Sequence, residues 1–264
     1  MNKLYVYGDS YGNFNLSQKG SRKSWIDIVR EKLNLIEVNN FAEPGLSPMH
    51  CYYNYMNHKH QPGYHVFVVP VLDRIYSPEV EKKFSALTIN RAWYNTIGSI
   101  RRIEHHLLNR KNSAKNITDD KRKELLAIAD ALLMYFGFIH DMNSQNILMR
   151  MLTEKLVEGS NSNTVFVSVS KNVFPGISLY DISNWELEQI CSDEDIQKFL
   201  DGEIIDHQIL QDVRLNHLSD KNNIVLGDKI VETFTNKKKI VELNIRDFFA
   251  PTDSVDNYLK WMKV

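Results

Sequence analysis

The sequence predicts an α/β protein: a three-layer sandwich in which a mainly parallel, five-stranded sheet lies between layers of helix. Three observations carry that expectation. Short apolar runs such as "YHVFVVPVL" are nearly continuous, as strands buried on both faces should be. Between them lie longer stretches whose apolar residues recur at helical spacing, and strand alternating with helix is the pattern of a parallel sheet with crossover connections. The third is size: 264 residues at 43% hydrophobic content suffice for one large core.

Each element can be justified in turn. "KLYVYGDSYGN" opens with Lys3–Tyr7, a run of aliphatic and aromatic residues that reads as a strand beginning almost at the N-terminus and ending at Gly8. Trp25, Ile28, Val29, Leu33 and Leu35 then mark a helix, with Ser21 or Ser24 placed to cap it. "IEVNNFA", residues 36–42, reads as a second strand, and the breaker-rich "EPGLSP" follows. The third strand is expected over residues 64–72, with Pro70 marking a bulge or its end.

From about residue 79 to residue 159 the composition turns charged and helix-favouring, which predicts a helical insertion within one domain spanning 1–264. Ile89, Trp93, Ile97, Ile100, Ile103 and Leu107 form one apolar face there. A second helix should start at Thr118 or Asp119, and a third should close at Gly159. "SNSNTVFVSVS" is the expected fourth strand and "GISLYDI", residues 176–182, the expected fifth. The last helix runs through "NNIVLGDKIVETF", with Ser219 or Asp220 as its cap.

Composition narrows the function classes. Lys and Arg number 32 against 33 for Asp and Glu, so no excess of positive charge argues for a nucleic-acid partner. Cys51 and Cys191 are too few for a disulfide scaffold. No basic segment with an apolar h-region opens the chain and no run is long enough for a membrane span, so the expectation is a soluble, cytoplasmic protein. The tract "HCYYNYMNHKH" is rich in possible ligands but matches no zinc spacing, so no metal site is expected; its aromatics either line a cleft or pack the loop after the second strand.

The residues with chemical potential stand at the two ends. Ser10 follows the first strand, where open α/β sheets place their ligands at the carboxyl edge. A serine hydroxyl is a poor nucleophile at neutral pH and needs a neutral imidazole to take its proton. His217, in a polar turn just before the last helix, is the candidate base. Asp9 is adjacent to Ser10, and neighbouring side chains diverge, so its expected role is to brace the turn; Ser47 can brace the second loop similarly.

Three blocks, in order, resemble the SGNH hydrolase (GDSL esterase/lipase) family: "YGDSYG", "NNFAEPGLS" and "NHLSDKNNIVLGDKI". The resemblance implies the SGNH/flavodoxin-like sandwich, Ser10 as nucleophile and one oxyanion donor, the Gly45 N–H as another donor, and His217 as general base. The family's third block supplies an asparagine donor, whereas this chain has "VVPVLDRIYSP"; Arg74 is the substitute donor or else the partner of Asp73. The family's acid stands three residues before the histidine, where this chain has Arg214. Asp212 is the remaining candidate to orient the imidazole, or it pairs with Arg214 and a backbone carbonyl orients the ring. The expected activity is hydrolysis of a small acyl, O-acetyl-carbohydrate or lipid-like ester without cofactor, and the partner is that small-molecule or glycan ester. The alternatives are acyl transfer to an alcohol and a non-catalytic protein that keeps the fold.

Overall fold

The computed structural model describes residues 2–12, 23–43, 46–72, 118–134, 142–170, 173–183 and 218–249. Four parallel strands, β1 (Lys3–Tyr7), β2 (Glu37–Asn40), β3 (Tyr64–Val69) and β4 (Thr164–Ser168), form one sheet in the order β2-β1-β3-β4. Among the described residues the helices of at least two turns are α1 (Trp25–Lys32), α2 (Pro48–His58), α3 (Asp119–Met134), α4 (Met142–Gly159) and α5 (Asp220–Thr235). The alternation of strand and helix is the α/β pattern expected from the sequence.

Because side chains alternate across a strand, the sheet acquires two chemically different faces. Leu4, Val6, Val66, Val68, Val165 and Val167 point to an aliphatic layer filled by Trp25, Ile26 and Val29 of α1 and Leu226, Ile230 and Phe234 of α5. Tyr5, Tyr7, Phe67, Val69 and Phe166 point the other way, against Cys51, Tyr52 and Tyr55 of α2 and Met149 of α4. Burying each of these large side chains stabilises the fold by about 1.5–3 kcal/mol. Placing α1 and α2 on opposite faces is what makes the strand order reverse at β1: β2 lies on one side of it and β3 on the other.

The local signals explain most element ends. Ser24 accepts a hydrogen bond from the Asp27 N–H at 2.9 Å while Asp27 Oδ2 accepts from the Ser24 N–H at 3.1 Å, a reciprocal cap that fixes the start of α1. β3 stops at Val69, immediately before Pro70, which has no N–H to give a ladder. Ser219 caps α5 through the Asn222 N–H.

Three expectations require correction. The segment over residues 176–182 is not a strand: residues 179–183 form a helical turn. Ser178 Oγ donates to Asp181 Oδ2 at 2.7 Å, the Ser178 N–H does so at 2.9 Å, and Leu179 and Ile182, three residues apart, are buried together. Among the described residues the sheet therefore has four strands; beyond β4, a single parallel bridge joins Phe166 to Ile240. The "HCYYNYMNHKH" tract is helical and does not form part of a loop. It lies in and just beyond α2, with Pro48, Cys51, Tyr52 and Tyr55 buried at helical spacing. Finally, α4 packs Met149, Leu156 and Val157 on the aromatic layer, so it serves as the crossover between β3 and β4 and not as part of an insertion. The apolar face predicted over residues 89–107 lies outside the described residues.

Candidate functional site

The carboxyl edge of the sheet at the β1/β3 reversal is where a doubly wound fold opens a crevice. β1 leaves the sheet there through Gly8, whose φ is +145°. A Cβ at this position would lie 2.6 Å from the Val68 carbonyl oxygen, so only glycine lets the turn pass this close to β3. Asp9 is fully buried. Its Oδ1 accepts from the Tyr11 N–H at 3.1 Å and its carbonyl accepts from the Gly12 N–H at 2.9 Å. The bracing role expected of Asp9 is what these bonds perform. From Leu4 to Gly12 every residue is buried except Ser10, which is half-buried at the crest of the turn.

The segment after β2 is laced to the same turn. The Phe41 N–H donates to Val6 O at 2.8 Å and the Glu43 N–H to Gly8 O at 3.2 Å. Asn40 joins the two segments with one side chain: its Nδ2 donates to Gly12 O at 2.8 Å, and its Oδ1 accepts from the Ala42 N–H at 2.9 Å. The packing is close enough that a Cβ on Gly12 would fall 2.8 Å from that of Ala42. Gly45 itself lies outside the described residues; Glu43 and Leu46, which flank it, are joined by an N–H···O bond of 3.3 Å. Ser47 is buried and caps α2.

Arg74, Asp212 and His217 also lie outside the described residues. The residue after His217 does not. Leu218 is buried in the same aliphatic layer as Tyr11. Three hydrogen bonds connect them: Trp25 Nε1 donates to Tyr11 O at 2.8 Å, the Trp25 N–H donates to Asn223 Oδ1 at 3.4 Å, and Asn223 Nδ2 donates to Leu218 O at 2.9 Å. Sequence reasoning missed Asn40, Trp25 and Asn223 as parts of this edge. Asn223 carried one signal, a buried-side polar residue inside the last helix.

Behind the edge, His58 of the "HCYYNYMNHKH" tract and His65 of β3 both have structural partners. His58 Nδ1 donates to Asn54 O at 2.8 Å, and its ring stacks on Phe41 at 4.2 Å. His65 is fully buried in β3, stacked on Tyr5 at 4.7 Å. Its Nε2–H donates to Gln61 O at 3.1 Å, which leaves Nδ1 to accept the Tyr7 hydroxyl proton at 3.1 Å. Burial pushes the His65 imidazole below its ordinary pKa, with the Gln61 carbonyl pulling weakly the other way. Burial likewise raises the Tyr7 phenol. Among the described residues no group of three His, Cys, Asp or Glu side chains is placed to hold a metal ion. No helix among them is long and apolar enough to cross a membrane. The chain matches no protein-family model and no curated protein sequence.

Proposed function

We propose that the chain is a divergent SGNH-type serine esterase that hydrolyses a small acyl, O-acetyl-carbohydrate or lipid-like ester. Ser10 is the nucleophile, His217 the general base and Asp212 the carboxylate that orients it. The Ser10 and Gly45 N–H groups and Arg74 are the oxyanion donors. The fifth sheet position of such a fold falls to the segment around Ile240, the only described residue bridged to the far side of β4. Residues from about 79 to the start of α4 are the helical addition to it, and a cytoplasmic location belongs to the same proposal.

The observation that supports the reading best is the presentation of Ser10. A strand that ends in a glycine with no room for a Cβ, followed by a buried aspartate that fastens the turn, leaves Ser10 as the one residue from Leu4 to Gly12 that is not buried. Chemistry follows from that presentation. Ser10 Oγ attacks the acyl carbon as His217 takes its proton; negative charge moves to the carbonyl oxygen, where fixed donors stabilise it. The imidazolium returns the proton to the departing alcohol, the C–O bond breaks, and water repeats the sequence to release the acid and free Ser10.

An activated fluorophosphonate followed by mass mapping tests this. The expected outcome is phosphonylation of Ser10 in the native protein, its loss in His217→Ala, and turnover of p-nitrophenyl acetate. Absence of both labelling and turnover would favour a non-catalytic protein, a reading to which the missing third-block asparagine lends weight. Ester products appearing when alcohols are added would assign acyl transfer instead of hydrolysis.

A further inference from the structure

We infer that Asn223 is a positioning residue for the reaction, tying Leu218, the residue that follows His217 in the chain, to the Ser10 turn; this rests on the esterase reading above. Asn223 is almost wholly buried in the first turns of α5. Asparagine is a poor helix former, because its amide competes for backbone groups, so a buried one inside a helix has to be explained by its bonds. Here Nδ2 donates to Leu218 O at 2.9 Å and to Ser219 O at 3.1 Å, while Oδ1 accepts from the Trp25 N–H.

Capping does not account for this arrangement. Ser219 already caps α5 with its own hydroxyl, and the Ser219 carbonyl already accepts the Asn223 N–H at 2.8 Å. Leu218 O belongs to the residue before the cap and is no part of the helix ladder. Tying it down fixes the backbone at Leu218, the residue bonded directly to the proposed base in the sequence. At its other end the amide takes the first N–H of α1, a group with no partner inside its own helix, and the same tryptophan binds Tyr11 O with its ring. A continuous path of three hydrogen bonds therefore links the residue after the nucleophile to the residue after the base.

Asn223→Asp keeps the volume and the acceptor but removes both donors to the 218–219 carbonyls. The expected result is a roughly 10- to 100-fold slower reaction of Ser10 with fluorophosphonate and a similar fall in kcat for p-nitrophenyl acetate, with KM within about twofold. Asn222→Ala is the control. That side chain is equally buried and bonds Phe249 in both directions, at 2.9 and 2.7 Å, so its loss should lower thermal stability while leaving the rate within about twofold. Trp25→Phe cuts the path at Tyr11 O and should slow the reaction in the same direction, which keeps the inference testable if Asn223→Asp does not fold. Wild-type rates in the Asn223→Asp or Trp25→Phe protein, or equal slowing by Asn222→Ala, would overturn the inference and leave the esterase reading standing. No reaction of the native protein at all would overturn the esterase reading itself and this inference with it.

Discussion

Gly8 and His65 show how much single residues decide in this protein. A methyl group on Gly8 meets the Val68 carbonyl at 2.6 Å and its Cβ at 2.7 Å, and the backbone conformation is one that L-residues rarely adopt. Strain and clash act together, so Gly8→Ala should lower unfolding free energy by about 3 kcal/mol in chemical denaturation. His65 has a pH-dependent role instead. Its pKa in the folded protein lies below the ordinary 6.5, so between those two values the unfolded chain binds a proton that the folded one excludes. Stability supplied by the neutral ring is thus present above about pH 6.5 and is lost as the pH falls below it. The thermal midpoint should drop on going from pH 7.5 to pH 5, and His65→Asn should be less stable at pH 7.5 but show a smaller drop. An equal drop in both would assign the acid sensitivity to other groups. That Gly8 ends a strand is legible from "YVYGDS"; that it touches β3 is not, because the contact partner is sixty residues away. The burial of His65 is half legible, since a histidine in a continuous apolar run has to find hydrogen-bond partners, but its partners Tyr7 and Gln61 come from the fold.

Among the elements, the strands and the amphipathic helices are legible because their periodicity is set by burial, and burial also shapes them: β1, β3, β4, α1 and α5 all occur where the apolar pattern places them. The errors have separate local causes. In α2 the buried positions are filled by Pro, Cys and two Tyr and the exposed ones by Met49, Tyr53, Met56 and Asn57, so hydrophobic contrast is weak, and the stronger signal was the Ser47-Pro48 start. In residues 176–182 a β-branched and aromatic composition suggested a strand, while the Ser178–Asp181 side-chain bonds decided for a helical turn. Packing overrides propensity in the opposite sense at Gly227. In an open helix, replacing this glycine with alanine would stabilise by about 1 kcal/mol. Here the added Cβ would stand 2.6 Å from Ile28 Cβ and 3.1 Å from Trp25 O, so α1 and α5 would have to separate. Overpacking of this kind costs about 1–3 kcal/mol, and Gly227→Ala is expected to be net destabilising in urea titration. A rise in the midpoint would show that α1 moves aside freely.

On the scale of the whole molecule, the candidate site is a product of connectivity. Ser10 and Asn223 are more than two hundred residues apart, yet α1 and α5 share one face of the sheet, and this brings the start of both helices to the edge where β1 ends. The block order raised the expectation that the two ends of the chain meet; the bonds joining α1, α5 and the turn after β1 were not legible, because a tryptophan indole and an asparagine amide have no fixed spacing from what they bind. The chain after α5 closes the sheet by the same kind of long-range tie. Phe166 N–H donates to Lys239 O at 2.7 Å and Val241 N–H to Phe166 O at 2.9 Å, while Lys229 pairs with Asp247 at 2.8 Å and Asn222 holds Phe249. The bridge is short, so its persistence depends on these anchors, and the segment should open as a local unit ahead of the four-stranded sheet. Removing both anchors, in Asn222→Ala with Lys229→Ala, should speed amide hydrogen exchange at Val241 and Phe166 by at least about tenfold while the Val66 and Val68 amides between β1 and β4 keep the rate set by global unfolding. Uniform acceleration at all four amides would mean that residues 239–249 unfold only with the whole domain, and the segment would then count as a full member of the sheet.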